Sequence, residues 1–172
     1  MSEGLDAKAL WSISYGLYVV SSRSGEGRLN GQIANSVFQV TSEPPQVAAA
    51  INKGNLTHEY IEESGVFAVS VLSQDVTMKF IGLFGFRSGR EVDKLSQARY
   101  MPGATGVPVV LDYSVSFIEA EVVGSLDVGT HTIFVGRVVA GRVIGGGRPL
   151  TYAEYHELKK GKAPKAAPTY RG

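Results

Sequence analysis

The sequence predicts a mainly β fold, an antiparallel Greek-key barrel with a few short helices, and three observations point to it. Runs of β-branched and aromatic residues recur along the chain, divided by turns rich in Gly, Pro and Asn. Helical stretches are short. Strands and helices do not alternate regularly, which disfavours a doubly wound parallel sheet. The 172 residues suffice for one domain that buries roughly 70% of its unfolded surface. The expected division is a domain over residues 1–158 with a basic, Pro/Ala-rich tail over 159–172.

Composition excludes several function classes. Lys and Arg number 17 against 16 Asp and Glu, a formal net charge of +1, so the chain lacks the global field of a dedicated nucleic-acid binder. It has no cysteine, which removes thiolate iron–sulfur sites, zinc ribbons and dithiol redox motifs from within the chain. His58, His131 and His156 stand far apart with no His-x-x-x-His pair, so no metal site is expected. The first ten residues lack an apolar core of leader length, and no run approaches the roughly 18 apolar residues of a membrane helix. The expectation is a cytoplasmic protein that engages neither membrane nor nucleic acid.

Along the chain, residues 6–11 form a short helical candidate and 13–22 a strand carried by Tyr15, Leu17, Tyr18, Val19 and Val20. A Gly-rich turn over 24–31 ends in Asn30-Gly31, a strong turn dipeptide, so the next strand, 31–42, is expected to pair back on the first. Gly25, Gly27 and Gly31 nearly spell a dinucleotide fingerprint, but the spacing is one residue too long and a strand follows where a helix is needed. The 31–42 strand sets Gln32, Asn35, Ser36, Gln39 and Thr41 beside the small Gly31 and Ala34, which brings hydrogen-bonding groups to a place where a ring can approach the main chain. Pro44-Pro45 stops that ladder, and 47–51 re-enters as a buried apolar strand. Asn52, Asn55 and Thr57 then gather donors at the start of a helix over 56–64, where a phosphate is favoured. The stretch 30–57 therefore reads either as wall and rim for a flat, phosphorylated ligand or as ordinary capped turns.

Gly65 ends that helix, and 66–72 reads as a buried strand. A helix starting at Asp75 carries Val76, Phe80, Ile81, Leu83 and Phe84 at helical spacing and closes at Gly85. The polar excursion 87–94 is either a solvated loop or a clamp for an anion. After a connection over 102–108, strand character returns at 109–112 and 113–126. There Glu119 and Glu121 alternate with Ile118, Ala120 and Val122, as in a half-exposed antiparallel strand. Two carboxylates about 7 Å apart on one face read either as paired-carboxylate catalysis or, with no second motif, as a solvated face, which is the expectation. A turn at 127–130 leads to a long strand, 131–144, that Gly136 and Gly141 let bend. Residues 152–160 are the last helical candidate. Lys159, Lys160, Lys162, Lys165 and Arg171 make the tail cationic, for an acidic partner or for solvation. No Gly-x-Ser-x-Gly elbow or Gly-Lys-Ser/Thr loop appears, which leaves a site where a cofactor supplies the chemistry.

Five ordered blocks carry a resemblance. They are Gly-Gln-Ile-Ala-Asn-Ser-Val-Phe-Gln-Val-Thr-Ser-Glu-Pro-Pro, Asn-Lys-Gly-Asn-Leu-Thr-His-Glu-Tyr-Ile, Ser-Gly-Val-Phe-Ala-Val-Ser-Val-Leu, Phe-Arg-Ser-Gly-Arg-Glu-Val-Asp-Lys and His-Thr-Ile-Phe-Val-Gly. Together they resemble the flavin reductase-like, FMN-binding split-barrel family, nearly end to end. The resemblance implies a split barrel, FMN as cofactor, NADH or NADPH as electron donor, and a homodimer with the flavin near the subunit interface. It implies Gln32, Ala34, Asn35, Ser36 and Val37 along the isoalloxazine, and Asn52, Asn55 and Thr57 near the ribityl phosphate. Ser88, Arg90 and Lys94 would bring positive charge to the phosphate or to an incoming nicotinamide cofactor. His131 would stand near the flavin, whose N5 carries the chemistry with no other catalytic side chain required. The tail is similar to a segment that, in some relatives, leads into a rubredoxin domain. Without cysteines, this chain would need a separate rubredoxin or another acceptor, such as ferric iron, oxygen or free flavin. The implied activity is an NAD(P)H-dependent flavin reductase-type oxidoreductase. The alternatives are a flavoredoxin-like FMN electron carrier reduced by a protein partner, and a relative that releases reduced FMN to a monooxygenase.

Overall fold

The computed structural model describes residues 4–170. Arg171, the last of the tail cations named above, lies outside the described residues, as do the first three residues of the stretch read for a leader. Helix α1 (Ala7–Leu10), N-capped by Asp6, precedes strands β1 (Tyr18–Arg23), β2 (Leu29–Ala34), β3 (Val37–Ser42) and β4 (Pro45–Asn52). Helix α2 (Leu56–Ser64), strand β5 (Val66–Leu72) and helix α3 (Met78–Gly85) follow, then a single 3₁₀ turn at Leu95–Gln97. A small hairpin, β6 (Tyr100–Pro102) with β7 (Pro108–Val110), leads to the long strands β8 (Ser114–Asp127) and β9 (His131–Val143) and to helix α4 (Tyr152–Glu157).

Seven strands form one antiparallel sheet in the order β2-β1-β5-β8-β9-β4-β3. Its two edge strands are β2 and β3, yet only Asn35 and Ser36 separate them in the chain. A flat sheet would hold those edges six strand spacings apart, roughly 28 Å, and two linking residues span about 10 Å. The sheet must therefore roll until its edges meet. No ladder joins β2 to β3, so the barrel is split along that seam. The pairings β1·β5 and β9·β4 join strands distant in sequence, in the Greek-key manner.

Alternation along the strands sorts the core into layers. Val20, Ala49, Ile51, Phe67, Val69, Ala120 and Phe134 fill the barrel interior. Val19, on the other face of β1, packs outside with Leu72, Ile81, Phe84, Tyr152 and Tyr155, under α3 and α4. Val66, Ala68 and Phe117 pack against Val109 of β7 and the preceding Val107. β5 is covered on both faces and reads as an unbroken apolar run for that reason.

Several sequence expectations change. The single strand expected over 31–42 is two strands, and β3 pairs with β4, not with β1. Asn30-Gly31 lies inside β2; the turn comes earlier, closed by Ser24 N–H donating to the Arg28 carbonyl at 2.7 Å. The first strand begins at Tyr18 and not at 13. Thr77, not Asp75, starts α3, its hydroxyl accepting from Phe80 N–H at 3.2 Å. α4 ends at Glu157, short of 160. Glu119 is buried, not solvated, because the β6–β7 connection folds over it: its carboxylate accepts from Ala104 N–H at 3.1 Å, Thr105 N–H at 3.0 Å and the Thr105 hydroxyl at 2.9 Å. Glu121, on the same face, stays near the surface and pairs with Arg137 at 2.9 Å.

Candidate functional site

The split seam opens a cavity of about 300 Å³, the lower end of the range for small-ligand sites. β2 forms one wall with Gln32 and Ala34, continued by Asn35 of the linker. Ala50, Asn52 and His131 form the opposite wall, where the β4–β9 ladder sets Asn52 directly opposite His131. The first turn of α2 contributes Asn55 and Thr57, and the end of α3 with the following loop contributes Phe84, Arg87, Ser88, Gly89 and Lys94. Tyr152, Tyr155 and residues of the tail complete the lining.

Local hydrogen bonds orient these groups. Asn55 is the N-cap of α2, but its side chain makes no capping bond; its Nδ2 donates to Gln32 Oε1 of β2 at 3.1 Å. Asn52 Oδ1 accepts from Gly54 N–H at 2.8 Å, which tightens the loop before the helix. Thr57 is fully buried and its hydroxyl accepts from Asn30 Nδ2 at 2.8 Å. Ser36 donates to Asn35 Oδ1 at 3.2 Å, and its carbonyl accepts from Ala50 N–H at 3.0 Å. Lys94 is buried, its ammonium donating to the carbonyls of Gly31 at 3.0 Å and Phe84 at 3.2 Å. Burial pushes its pKa down to about 8, which leaves it charged at neutral pH. The His131 ring lies below the usual imidazole value, through burial first and the charge of His58 second. His131 Nδ1 bonds to the Thr130 hydroxyl at 2.8 Å.

The structure gathers nine of the twelve expected positions around this cavity: Gln32, Ala34, Asn35, Asn52, Asn55, Thr57, Ser88, Lys94 and His131. Ser36, Val37 and Arg90 stand outside its lining. Ser36 and Val37 sit where the chain turns from one sheet edge to the other, and Arg90 pairs through both terminal nitrogens with Glu59 on α2. Sequence reasoning did not single out Asn30, Gly89, Phe84, Tyr152 or Tyr155 as site residues. For the tyrosines a signal existed: positions 152 and 155 are three apart on one helix and share a face. Asn30 was masked by its turn-like pairing with Gly31.

The residues present fit a flat heterocycle bearing a phosphate. Small Ala34 and Ala50 and the Phe84 ring give apolar walls; Asn35, Gln32 and Asn52 supply amides at the rim. The α2 N-terminus, Lys94 and Arg87 add positive potential to the lining. Among the described residues, no group of three or more His, Asp or Glu could hold a metal ion. Among them also, no helix is long and apolar enough to cross a membrane.

Comparison with known proteins agrees with this geometry. A ferric-chelate reductase (NAD(P)H) of Archaeoglobus fulgidus is 52% identical over 166 residues, which cover 96% of this chain and 98% of that protein. A high molecular weight rubredoxin of Moorella thermoacetica is 46% identical over 166 residues, covering 96% of this chain and 72% of that one. Among solved structures, an FMN-binding protein from Thermus thermophilus with bound 1-cyclohex-2-enone superposes with a TM-score of 0.74 at 30% identity, covering 87% of this chain and 84% of that one. The family model for the flavin reductase like domain matches residues 10–159. The chain thus belongs to the flavin reductase-like family.

Proposed function

We propose that this chain binds FMN in the seam cavity and works as an NAD(P)H-dependent flavin reductase-type oxidoreductase that passes electrons to an acceptor. The observation that carries the reading is the convergence, on one cavity of ligand size, of the linker between the sheet edges, the α2 N-terminus and the buried Lys94. Bound flavin supplies the hydride- and electron-accepting chemistry. The protein's part is to hold and orient it. Gln32, Ala34 and Asn35 lie along the ring, with Ser36 and Val37 fixing the path of the linker behind them. Asn52, Asn55 and Thr57 face the phosphate, with Ser88 at the loop opposite. Lys94 supplies the buried positive charge, Arg90 docks the 87–94 loop onto α2 through Glu59, and His131 borders the ring.

The match over residues 10–159 supports 1–158 as the flavin-binding unit, with the tail over 159–172 as an appended segment whose residues 162–169 fold back onto the cavity. Exposed apolar side chains on β3, β8 and β9, including Phe38, Leu126 and Val143, support a homodimer burying that surface. The Moorella relative's name favours a rubredoxin-type protein among the acceptors, and the Archaeoglobus relative's a ferric chelate. Dependence on a nicotinamide donor favours the cytoplasm.

Equilibrium titration of FMN into the full chain, followed by quenching of flavin fluorescence, tests the site. One FMN per chain, bound more tightly than riboflavin, is the expected result. Absence of saturable FMN binding contradicts it.

A further inference from the structure

The tail crosses the mouth of the cavity. At its base it is tied to α4: Gly161 N–H donates to the Tyr155 carbonyl at 3.0 Å, the Tyr155 hydroxyl donates to the Lys162 carbonyl at 2.8 Å, and His156 Nδ1 meets the Gly161 carbonyl at 2.8 Å. Further along, the tail reaches the two walls. Asn52 Nδ2 donates to the Ala166 carbonyl at 3.1 Å, and Asn35 Nδ2 donates to the Thr169 hydroxyl at 2.9 Å. Thr169 in turn donates to the Tyr152 hydroxyl at 2.7 Å.

A second cavity, about 380 Å³, lies on the other side of the same segment. The two cavities share Ala50, Asn52 and His131 from the sheet, and Ala166, Ala167 and Pro168 from the tail. The tail is therefore a bridge over one continuous groove. Its hold is uneven. The base is fixed beside two buried tyrosines of α4, whereas the outer part carries, apart from the exposed Lys165, only small or cyclic side chains before Thr169 and buries no large apolar group. Few buried contacts and a handful of hydrogen bonds mark a segment that opens before the rest of the fold.

We propose that residues 161–169 are a removable strap that closes the groove, and that ligand entry requires the Asn35–Thr169 and Asn52–Ala166 hydrogen bonds to break. The proposal rests on the FMN reading for the identity of the ligand, but not for the seating of the strap. Both bonds use amides that border the cavity, so a ligand arriving from outside meets the strap at the groups it must pass. Two hydrogen bonds of ordinary strength slow entry about tenfold.

Two measurements on three chains test this: the full chain, the Thr169→Val variant, and a variant ending at Lys160. Stopped-flow quenching of flavin fluorescence gives the FMN association rate. It is expected to rise about tenfold in the shortened variant and severalfold in Thr169→Val. Limited trypsin digestion, which needs no flavin, reads the seating directly: cleavage after Lys165 is expected to be slow in the full chain and severalfold faster in Thr169→Val. If the shortened variant fails to fold, Thr169→Val still decides. Equal association rates in the full chain and Thr169→Val overturn the strap while leaving the flavin site standing, and so does tryptic cleavage that the substitution leaves unchanged. If FMN binds no form of the protein, the flavin reading falls, and the tryptic result alone upholds or overturns the strap.

Discussion

Asn30 Nδ2 donates to Thr57 Oγ1 at 2.8 Å with both side chains buried, and this bond fastens β2 to the first turn of α2. A hydroxyl that accepts from Asn30 still has its own proton to give. Thr57 borders the cavity at a helix N-terminus, so a phosphate oxygen is the acceptor that suits it. Thr57→Ala should weaken FMN by roughly 1–3 kcal/mol, about 5- to 150-fold, and riboflavin much less. Parallel fluorescence titrations of the two flavins check it, and equal losses would contradict the phosphate assignment.

Gly89 packs against the Asn30 side chain of this pair. A Cβ there would sit 2.1 Å from Asn30 Oδ1 and 2.6 Å from its Cγ. Asn30 is only 4% exposed, so its amide cannot move aside into solvent. Gly89→Ala should displace Asn30 from Thr57, lower stability by about 1–3 kcal/mol and weaken FMN and riboflavin together. Thermal melts and titrations measure both, and an unchanged melting temperature with intact binding would show that the pair is not held as described.

Lys94 gives a pH signature. Its pKa of about 8 in the fold lies below the roughly 10.4 of an unfolded lysine. Between those values the unfolded chain binds more protons, so this group's contribution to stability rises with pH across that window and is flat below it. The charge offered to an anionic ligand moves the opposite way. FMN affinity should fall severalfold between about pH 7 and about pH 9, and Lys94→Met should remove the step. A full-sized step in that variant would assign the titration elsewhere.

Glu119 carries a purely structural prediction. Its carboxylate accepts three hydrogen bonds from the β6–β7 connection and lies outside the cavity lining. Glu119→Gln turns one acceptor oxygen into a donor facing donors, which costs about 2–3 kcal/mol. That lowers the melting temperature by roughly 4–12 °C with FMN affinity unchanged. A melting temperature within a degree of the parent would mean that the hairpin is held by something else.

The sequence was most legible where local signals decide. The bounds of α2 and β5 follow from a polar loop, a helical run, Gly65 in the left-handed region at φ 67° and an apolar run. It was least legible where distant partners decide. Nothing local breaks the pattern at Asn35-Ser36, because the break exists only where β2 and β3 take opposite edges of the sheet. Glu119 alternates like a surface residue, and its cover comes from residues 103–105. Arg90 and Lys94 share one loop and one charge sign, yet the backbone path sends Arg90 to Glu59 and Lys94 to the carbonyls of Gly31 and Phe84. The tail's composition reads as an ordinary linker. Its hydrogen bonds to Asn35 and Asn52 lie 134 and 114 residues away in sequence.

The most direct test of a nicotinamide-driven flavin reductase is the absorbance of the FMN-loaded full chain on anaerobic addition of NADH, and separately of NADPH. Bleaching of the flavin band within seconds by at least one of them is the expected result. A band that persists with both donors, yet bleaches with dithionite, would contradict the reductase and leave an electron carrier reduced by another protein.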